Sequence, residues 1–281
     1  MQTVISADGR MLAVEEYGDP DGTPVLYVCG SPMSRLARHP DDQLFGGLGI
    51  RLITYDRPGF GCSTPQPGRR VVDAADDIAT IADALALDRF PLFGVSGGGP
   101  HALAFTARHG DRVVRAAVLA SLAPRDAEGL EWTDGMMDGN RASAEAALQG
   151  AEAVEKHLAA TTGAVDPLAL LPPTDQAILA RPEIGAMLRA AFAEAVRPGP
   201  AGWAGDILAL FGLPWGFDPA TISRPVRLWH GELDAAVPVS HGRWLAARIP
   251  GAQLRTRPDV GHAGHFDATP AVLEWLVGAE S

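Results

Sequence analysis

The chain has 281 residues, of which 47% are apolar, and it carries a formal net charge of −11. This acidic balance opposes binding to nucleic acid or to an anionic membrane surface, because both are rich in phosphate. No stretch approaches the ~20 apolar residues of a membrane span, and the first residues lack the basic and apolar regions of a secretory signal. We therefore expect a cytoplasmic protein whose two cysteines, Cys29 and Cys62, are free thiols.

The first half of the chain alternates between strand patterns and helix patterns. Continuous apolar runs that end in turn residues are typical of strands buried on both faces of a sheet, and apolar residues that recur every three or four positions indicate helices. These patterns predict strands at residues 11–18, 24–30, 51–59, 90–96 and 113–121, and helices at residues 71–87 and 100–110. Such alternation predicts an α/β fold with a mainly parallel central sheet flanked by helices.

From residue 125 to residue 222 the strand pattern stops. This segment is rich in Ala, Glu, Leu and Met, and an apolar stripe at helical spacing runs from Leu188 to Val196. The α/β pattern then resumes with strands at residues 224–231 and 252–258 and helices at residues 242–249 and 270–278. We therefore predict a core domain of residues 1–124 and 223–281, with a helical cap of residues 125–222 inserted after the fourth parallel strand.

The strongest motif is Gly94-Val95-Ser96-Gly97-Gly98, between a predicted strand and a predicted helix. A G-x-S-x-G sequence in this context is typical of a nucleophile elbow, a turn so sharp that side chains at its outer glycines would collide. The elbow projects Ser96 above the sheet edge and places the Gly97 amide where it can donate to an oxyanion. A phosphate-binding loop and a purely structural glycine turn are the other interpretations, and the missing Gly-Lys-Ser/Thr sequence disfavours the first.

A nucleophilic serine needs a base that removes its proton and an acid that orients the base. Asp234 follows a predicted buried strand, and His262 and His265 lie in the loop after the last strand. The order serine, acid, histidine along the chain is the one expected on such a core. We assign Asp234 as the acid and His262 as the base, and Asp126 and His265 are the respective alternatives.

A second oxyanion donor is expected in the loop after the strand at residues 24–30. That loop reads Cys29-Gly30-Ser31-Pro32. Glycine allows the backbone to turn towards the site, and proline stiffens the loop. The Ser31 amide is therefore the candidate partner of the Gly97 amide.

Together these motifs resemble the α/β-hydrolase-fold serine hydrolases, in particular the capped, esterase-like bacterial members. The resemblance covers most of the predicted core and rests on CGSPMSR, YDRPGFGCS, GVSGGGPHA, the segment from PWGFDP to GELDAAVP and the final GH pair. It implies a Ser96, Asp234 and His262 triad, an oxyanion hole made by the Ser31 and Gly97 amides, and no cofactor. Cys29 departs from the family pattern, because such proteins usually have histidine there.

The resemblance implies hydrolysis of a carboxylic ester or a related acyl bond through an acyl-enzyme intermediate. Aminopeptidase-like and lactone hydrolysis would use the same triad. A lyase or a ligand receptor of the same fold is another alternative, because a fold does not determine a function. A metallohydrolase with His262, His265, Asp267 and His230 as ligands is disfavoured, since the chain lacks H-E-x-x-H. We expect no metal site.

The cap is expected to determine the substrate, a small molecule with an apolar portion. Apolar cap residues that could line its pocket are Trp132, Met136, Met137, Phe192, Trp203, Phe211 and Trp215. Each also suits an ordinary core position, since apolar side chains at helical spacing usually pack inside. Glu131, Asp134 and Asp138 would attract a substrate amine, although a solvated acidic face is the simpler interpretation. The oligomeric state is left open.

Overall fold

The computed structural model describes residues 1–161 and 172–278. Its strands are β1 (Gln2–Ile5), β2 (Met11–Gly18), β3 (Thr23–Val28), β4 (Ile50–Tyr55), β5 (Phe90–Val95), β6 (Val113–Leu119), β7 (Val226–Gly231) and β8 (Gln253–Arg257). They form an eight-stranded sheet in the order β1-β2-β4-β3-β5-β6-β7-β8. Strand β2 is antiparallel to β1 and β4, and the other neighbours are parallel. The predicted α/β fold with a mainly parallel sheet is confirmed.

Helices cover both faces of this sheet and make up most of the described residues between β6 and β7. They are α1 (Asp42–Gly47), α2 (Ala74–Ala84), α3 (Gly98–Arg108), α4 (Asp138–Gln149), α5 (Ala151–Thr161), α6 (Pro173–Leu179), α7 (Pro182–Val196), α8 (Ala201–Ile207), α9 (Val239–Arg248) and α10 (His265–Val277). The short elements β1 and α1 were not predicted, because each has only one buried apolar residue, Val4 and Phe45 respectively.

Strand β5 shows why the central strands are apolar throughout. Successive side chains in a strand point to opposite faces, and both faces here are covered. Leu92 is fully buried in the cluster that contains Phe105 of α3, whereas Phe93 packs in the cluster that contains Leu273 of α10. Burial of each such side chain contributes about 1.5–3 kcal/mol, so the centre of the sheet is a rigid base for the turns at its carboxyl edge.

The closing helix begins earlier than the sequence pattern predicts. The prediction of residues 270–278 assumed that Pro270 stands near the helix start, but Pro270 lies inside α10, which begins at His265. Proline removes one intrahelical hydrogen bond and its ring crowds the carbonyl group one turn earlier, and the burial of Phe266 and Leu273 offsets this cost. His265 is consequently a helical residue, and the loop that carries His262 is shorter than expected.

The segment predicted as a cap contains α4 to α8 and, within residues 125–161 and 172–222, no strand. Helix α8 continues directly into a π-helical segment, Leu208–Gly212. His241 of α9 accepts a hydrogen bond from the Ala123 N–H and bonds the Trp132 carbonyl, so it holds the start of this segment against the core. The domain limits 1–124, 125–222 and 223–281 stay a prediction.

None of the helices in the described part of the chain is long and apolar enough to cross a membrane.

Candidate active site

The turn between β5 and α3 holds Ser96 in an unusual backbone conformation. Its φ is +53°, a left-handed value that residues other than glycine rarely adopt. A Cβ at Gly94 would lie 2.5 Å from the Gly98 carbonyl oxygen, and one at Gly98 would lie 2.1 Å from the Val28 oxygen. Both flanking positions therefore require glycine. The geometry is that of the predicted elbow, with the Ser96 hydroxyl at the carboxyl edge of the sheet.

The loops after β7 and β8 bring the predicted acid and base together. The Leu233 N–H donates to the Val260 oxygen at 3.0 Å, which joins the two loops. His262 Nδ1 is 2.8 Å from Asp234 Oδ2, and Asp234 Oδ1 accepts from the N–H groups of Ala236 and Val237 at 2.9 and 2.8 Å. Because an ionised carboxylate only accepts, the His262 proton sits on Nδ1 and leaves Nε2 as the acceptor.

The electrostatics of this pair favour an ionised Asp234 beside His262. Burial works to raise the pKa of Asp234, but the charge of His262 and hydrogen bonds from His230 and His262 hold that pKa well below its usual range. Burial also works to lower the pKa of His262, and the Asp234 charge outweighs it, so the pKa of His262 is raised. A histidine in this setting can take a proton and keep it stabilised.

His265, the alternative base, lies in a different environment. Burial, together with the nearby His262, lowers its pKa to about 3. Among the described residues it has no carboxylate partner, and its Nδ1 is buried without a hydrogen bond. The structure therefore brings His262, and not His265, to the acid.

Ser96 and His262 line one cavity of about 470 Å³ between the sheet edge and the helices α4 to α8. Its wall is mostly apolar, with a polar side formed by Asn140, Ser143 and His157. The apolar lining residues include Met33, Met137, Leu179, Met187, Leu188, Phe192, Trp203 and Phe266. Several of these were not predicted to line the cavity, although Leu188 lies one helical turn before Phe192 on the predicted stripe of α7.

The Gly97 N–H of the elbow and the Ser31 N–H of the neighbouring loop lie close to each other. The Ser31 nitrogen is 3.3 Å from the point that a Cβ on Gly97 would occupy, and a Cβ on Gly30 would lie 3.3 Å from the Ser96 Cβ. Within residues 1–161 and 172–278, neither the Ser31 nor the Gly97 N–H donates to another backbone group. These two N–H groups are thus available to a ligand oxygen beside Ser96.

Arg57 holds the loop that carries Ser31. Its guanidinium donates to the carbonyl oxygens of Cys29 at 2.5 Å and Gly30 at 3.1 Å. Arg57 is 1% exposed, and its charge is paired with fully buried Asp206 at the end of α8, which also binds Arg69 at 2.6 Å. The loop is therefore supported by an arginine, with Cys29 at the position of the usual histidine.

Cys29 itself is an inert part of this support. Its thiol is buried and donates to the Met33 oxygen at 3.3 Å, and burial raises its pKa to about 11. Arg57 and Asp206 were not among the residues predicted to belong to the site. Two features of the sequence could have indicated them. Arg57 lies in Asp56-Arg57-Pro58, close to the end of a buried strand, and Asp206 is the acidic residue of an otherwise apolar helix.

The apolar cap residues proposed from the sequence fall into two groups. Phe192 and Trp203 line the cavity and meet edge to face with ring centroids 6.0 Å apart, and Met137 also lines it. Trp132, Met136, Phe211 and Trp215 do not line it but are buried in the main core cluster. Trp132 packs edge to face on Phe211 and donates to the Ala123 oxygen. Its ring therefore packs between the core and the segment predicted as a cap.

The polar groups of the alternative hypotheses are dispersed. Glu131 and Asp134 are exposed away from the cavity, and Asp138 at its rim pairs with Arg141. Asp126, the alternative acid, is exposed and does not line the cavity.

The residues of the metal hypothesis have other partners. Asp267 is engaged by Arg181 at 2.5 Å, and both His262 and His230 contact Asp234. In the described residues the carboxylates and thiol that do cluster are Asp56, Cys62 and Glu194. Arg35 bonds both of those carboxylates, at 2.6 and 2.8 Å, so this cluster is an ion-pair network.

Comparison with known proteins identifies the family. A sequence profile described as the alpha/beta hydrolase fold matches residues 23–269. The chain belongs to this family. The alpha/beta hydrolase is 29% identical to the pimeloyl-[acyl-carrier protein] methyl ester esterase of Chromobacterium violaceum over 270 residues, which cover 90% of this chain and 91% of that protein.

Two further relatives show the range of this alpha/beta hydrolase family. The chain is 35% identical to the non-heme chloroperoxidase of Streptomyces lividans over 127 residues, 44% of this chain and 45% of that protein. The chain thus spans less than half the length of that chloroperoxidase. The solved structure of Est816, described as an N-acyl homoserine lactone degrading enzyme, superposes with a TM-score of 0.71 and 25% identity, covering 99% of this chain and 100% of that chain.

Proposed function

We propose that this alpha/beta hydrolase is a serine hydrolase that cleaves a carboxylic ester or a related acyl bond. Ser96 is the nucleophile, His262 the base and Asp234 the acid that orients the base. The observation that carries the proposal is the 2.8 Å hydrogen bond between His262 and Asp234, in the same cavity wall as the strained Ser96. No cofactor is required.

In the first half of the proposed reaction, the Ser96 oxygen attacks the carbonyl carbon while His262 Nε2 takes the hydroxyl proton. The carbonyl oxygen becomes an oxyanion that accepts hydrogen bonds from the Ser31 and Gly97 N–H groups. Collapse of this tetrahedral intermediate breaks the bond to the leaving oxygen. His262 gives its proton to that oxygen, which leaves as an alcohol, and the acyl group stays on Ser96.

In the second half, water attacks the acyl-enzyme by the same steps. His262 takes a proton from water, the same two amides hold the second oxyanion, and the acid leaves as Ser96 regains its proton. Throughout, Asp234 stays ionised and stabilises the imidazolium. Its low pKa supports this assignment.

The cavity favours a small substrate with an apolar portion. Side chains such as Met33, Leu188 and Phe192 would bury an apolar acyl or alcohol group. The similarity to the Chromobacterium violaceum methyl ester esterase, which spans 90% of this chain, supports an ester as the substrate class.

A lactone hydrolase is the second candidate. A lactone is an internal ester, so the same attack opens its ring, and the similarity to Est816 supports this activity. An aminopeptidase-like enzyme needs an unpaired carboxylate for the substrate amine. The acidic residue at the cavity rim, Asp138, is paired with Arg141, which disfavours it.

Covalent labelling tests the proposal. A fluorophosphonate probe is expected to modify Ser96 in the wild type and to leave Ser96→Ala unmodified. Ser143→Ala is the matched control, because Ser143 lines the same cavity and lies 3.0 Å from His157 Nε2, but it stands inside helix α4 and its hydroxyl also bonds the Gly139 oxygen; the variant should be labelled at the wild-type rate. Labelling of folded Ser96→Ala, or none of the wild type, would overturn the serine mechanism.

A substrate panel then separates the two candidates. Initial rates are compared on p-nitrophenyl esters of increasing acyl length, on lactones and on aminoacyl anilides. The ester proposal predicts the highest kcat/KM on an ester, and a higher value on a lactone would favour the second candidate.

A further inference from the structure

Asp175 is a fully buried carboxylate that reaches the His262 turn from the cap segment. It lies in the first turn of α6, and α6 packs against the 3₁₀ turn His262–Gly264. Asp175 Oδ1 accepts from the Ala263 N–H at 2.6 Å. A Cβ on Gly261 would lie 2.7 Å from the same oxygen. The carboxylate therefore contacts the backbone on both sides of His262.

Asp175 is 0% exposed. Ile178 and Leu179, which follow it in α6, pack in an apolar cluster with Ile184, Ala263 and Phe266. In the part of the chain that the structure describes, Asp175 Oδ2 is buried with no hydrogen-bond partner. A buried carboxylate with one unpaired oxygen is costly for stability.

The compensation available to Asp175 is the charge of His262. Burial raises the pKa of Asp175, and the backbone N–H of Ala263 and the charge of His262 act against that rise. In turn, Asp175 is among the groups that raise the pKa of His262, after the larger effect of Asp234. The two groups are thus close enough for each to affect the ionisation of the other.

We propose that Asp175 is a positioning residue for the catalytic base: it fixes the His262 turn from the cap side, and its negative charge favours the imidazolium that forms as Ser96 is deprotonated. This inference rests on the proposed function. Asp234 accepts a hydrogen bond from His262 Nδ1. Asp175 instead accepts a hydrogen bond from the backbone of the turn, and its charge acts on the imidazole without direct contact. The cap segment thereby takes part in setting the base, in addition to covering the substrate.

Other titratable groups around His262 act differently. Asp234 on the loop after β7 is its direct partner, and His230 of β7 contacts Asp234. His265 of α10 lies with its ring centroid 6.2 Å from that of His262 and stays neutral because burial lowers its pKa. Asp175 is therefore the second carboxyl group that acts on the base, after Asp234, and if it carries its charge beside protonated His262, the Asp175→Asn variant should make that protonated form less stable.

Two variants separate the charge from the hydrogen bond. Asp175→Asn keeps the shape and an acceptor for the Ala263 N–H but removes the charge. We expect it to move the acidic limb of the pH profile of kcat/KM to lower pH, because His262 then loses its proton more readily. Asp175→Ala removes the hydrogen bond too and should lower kcat on the order of 10²-fold through displacement of the base, with a much smaller change in KM for a short ester.

Asp267→Asn is the matched control. Asp267 also joins the cap segment to α10, through its ion pair with Arg181, but that pair is about half exposed. The control should keep the wild-type pH profile. Thermal unfolding of each variant shows that it is folded, and the isosteric Asp175→Asn provides the test if Asp175→Ala does not fold.

The outcomes distinguish this inference from the proposed function. If the fluorophosphonate probe labels wild-type Ser96 but Asp175→Asn has the wild-type pH profile, the inference about Asp175 is overturned and the serine mechanism stands. If the probe does not label the wild type, the proposed function itself fails. A shift to lower pH in Asp175→Asn and not in Asp267→Asn supports the inference.

Discussion

Ser96 is held in a conformation that costs stability on the order of 1–3 kcal/mol. The glycines at 94 and 98 make the turn sterically feasible, and the Ser96 N–H donates to the Leu119 oxygen at 2.9 Å. This tight turn between β5 and α3 holds the Ser96 hydroxyl at the sheet edge, so no long loop carries the nucleophile. A rigid nucleophile needs a base that is equally well placed, and Asp234 and Asp175 restrain His262 from two sides.

The first prediction compares two single residues, His262 in the turn after β8 and His265 at the start of α10. His262→Ala should lower kcat by about 10⁴-fold or more, because a triad without its base loses most of its rate enhancement. His265→Ala should cost far less, since His265 has no acid partner among the described residues. Steady-state kinetics on folded variants measure both effects, and the opposite ranking would assign the base role to His265.

The pH dependence of kcat/KM is the second prediction. Only neutral His262 can accept the Ser96 proton, so activity should rise with pH through the pKa of His262. Because Asp234 raises that pKa, the midpoint should lie above the value of about 6.5 for free histidine. Asp234→Asn should lower both the midpoint and kcat. A flat profile between about pH 5 and 8 is incompatible with a histidine base.

At the scale of elements, α8 supports the oxyanion loop through buried charges. Asp206 at its end pairs with Arg57 and Arg69, which come from the loops after β4 and before α2. Burial works to raise the pKa of Asp206, but the two arginines hold it far below its usual range. Because Arg57 also binds the carbonyl oxygens of Cys29 and Gly30, the position of α8 is coupled to the position of the Ser31 amide.

The third prediction concerns this buried network. Asp206→Asn leaves two buried arginines without a counter-charge, and we expect a loss of about 3–5 kcal/mol in the free energy of unfolding. It should also lower kcat, because the oxyanion loop loses support. Asp218→Asn, which breaks the half-exposed pair with Arg248, is the control and should have a much smaller effect on stability. Urea unfolding curves compare the two, and equal losses would contradict the role of burial.

At the scale of the whole molecule, several histidines are buried in neutral form. Burial lowers the pKa of His101 and of His265 to about 3, and that of His241 to about 4. His241 accepts a hydrogen bond at Nδ1 and bonds a carbonyl oxygen through Nε2, so its neutral form has both partners satisfied. Protonation would break the bond to the Ala123 N–H and loosen the contact between α9, β6 and the cap segment.

The fourth prediction is therefore an acid-sensitive fold. In the unfolded chain these histidines bind protons below about pH 6.5, whereas in the folded chain they do so only near the lowered values. The unfolded state then binds more protons between these limits, so stability falls as the pH drops from about 6.5 towards 4. His262 acts in the opposite direction only above about pH 6.5, where its raised pKa lets the folded chain bind the extra proton. Tm measured across this range should decline on acidification.

His241→Gln provides the comparison for that experiment. It should be less stable than the wild type at pH 7, where it loses satisfied hydrogen bonds, but its Tm should depend less steeply on pH. A wild-type Tm that is constant from pH 7 to pH 4.5 would show that the buried histidines do not control acid stability.

Features that depend on local sterics and on chain order could be predicted from the sequence. The elbow at Ser96 follows from glycines two positions away on either side, and the α/β fold follows from alternating apolar patterns that must be buried on both faces. Asp234 and His262 were assigned because strand ends of a parallel sheet meet at one edge. The elements β1 and α1 and the true start of α10 were missed, since short or proline-containing segments carry a weak periodic signal.

The tertiary structure alone decided which distant residues support the site. Arg57 and Asp206 are 149 positions apart and Asp175 and Ala263 are 88 positions apart, and no local pattern pairs such residues. Trp132 and Phe192 are both aromatic residues of the segment predicted as a cap. Trp132 packs into the core, whereas Phe192 lines the cavity. The physical reason is that side-chain burial and ion pairing depend on which surfaces meet through space, and periodicity specifies only which face of an element is apolar.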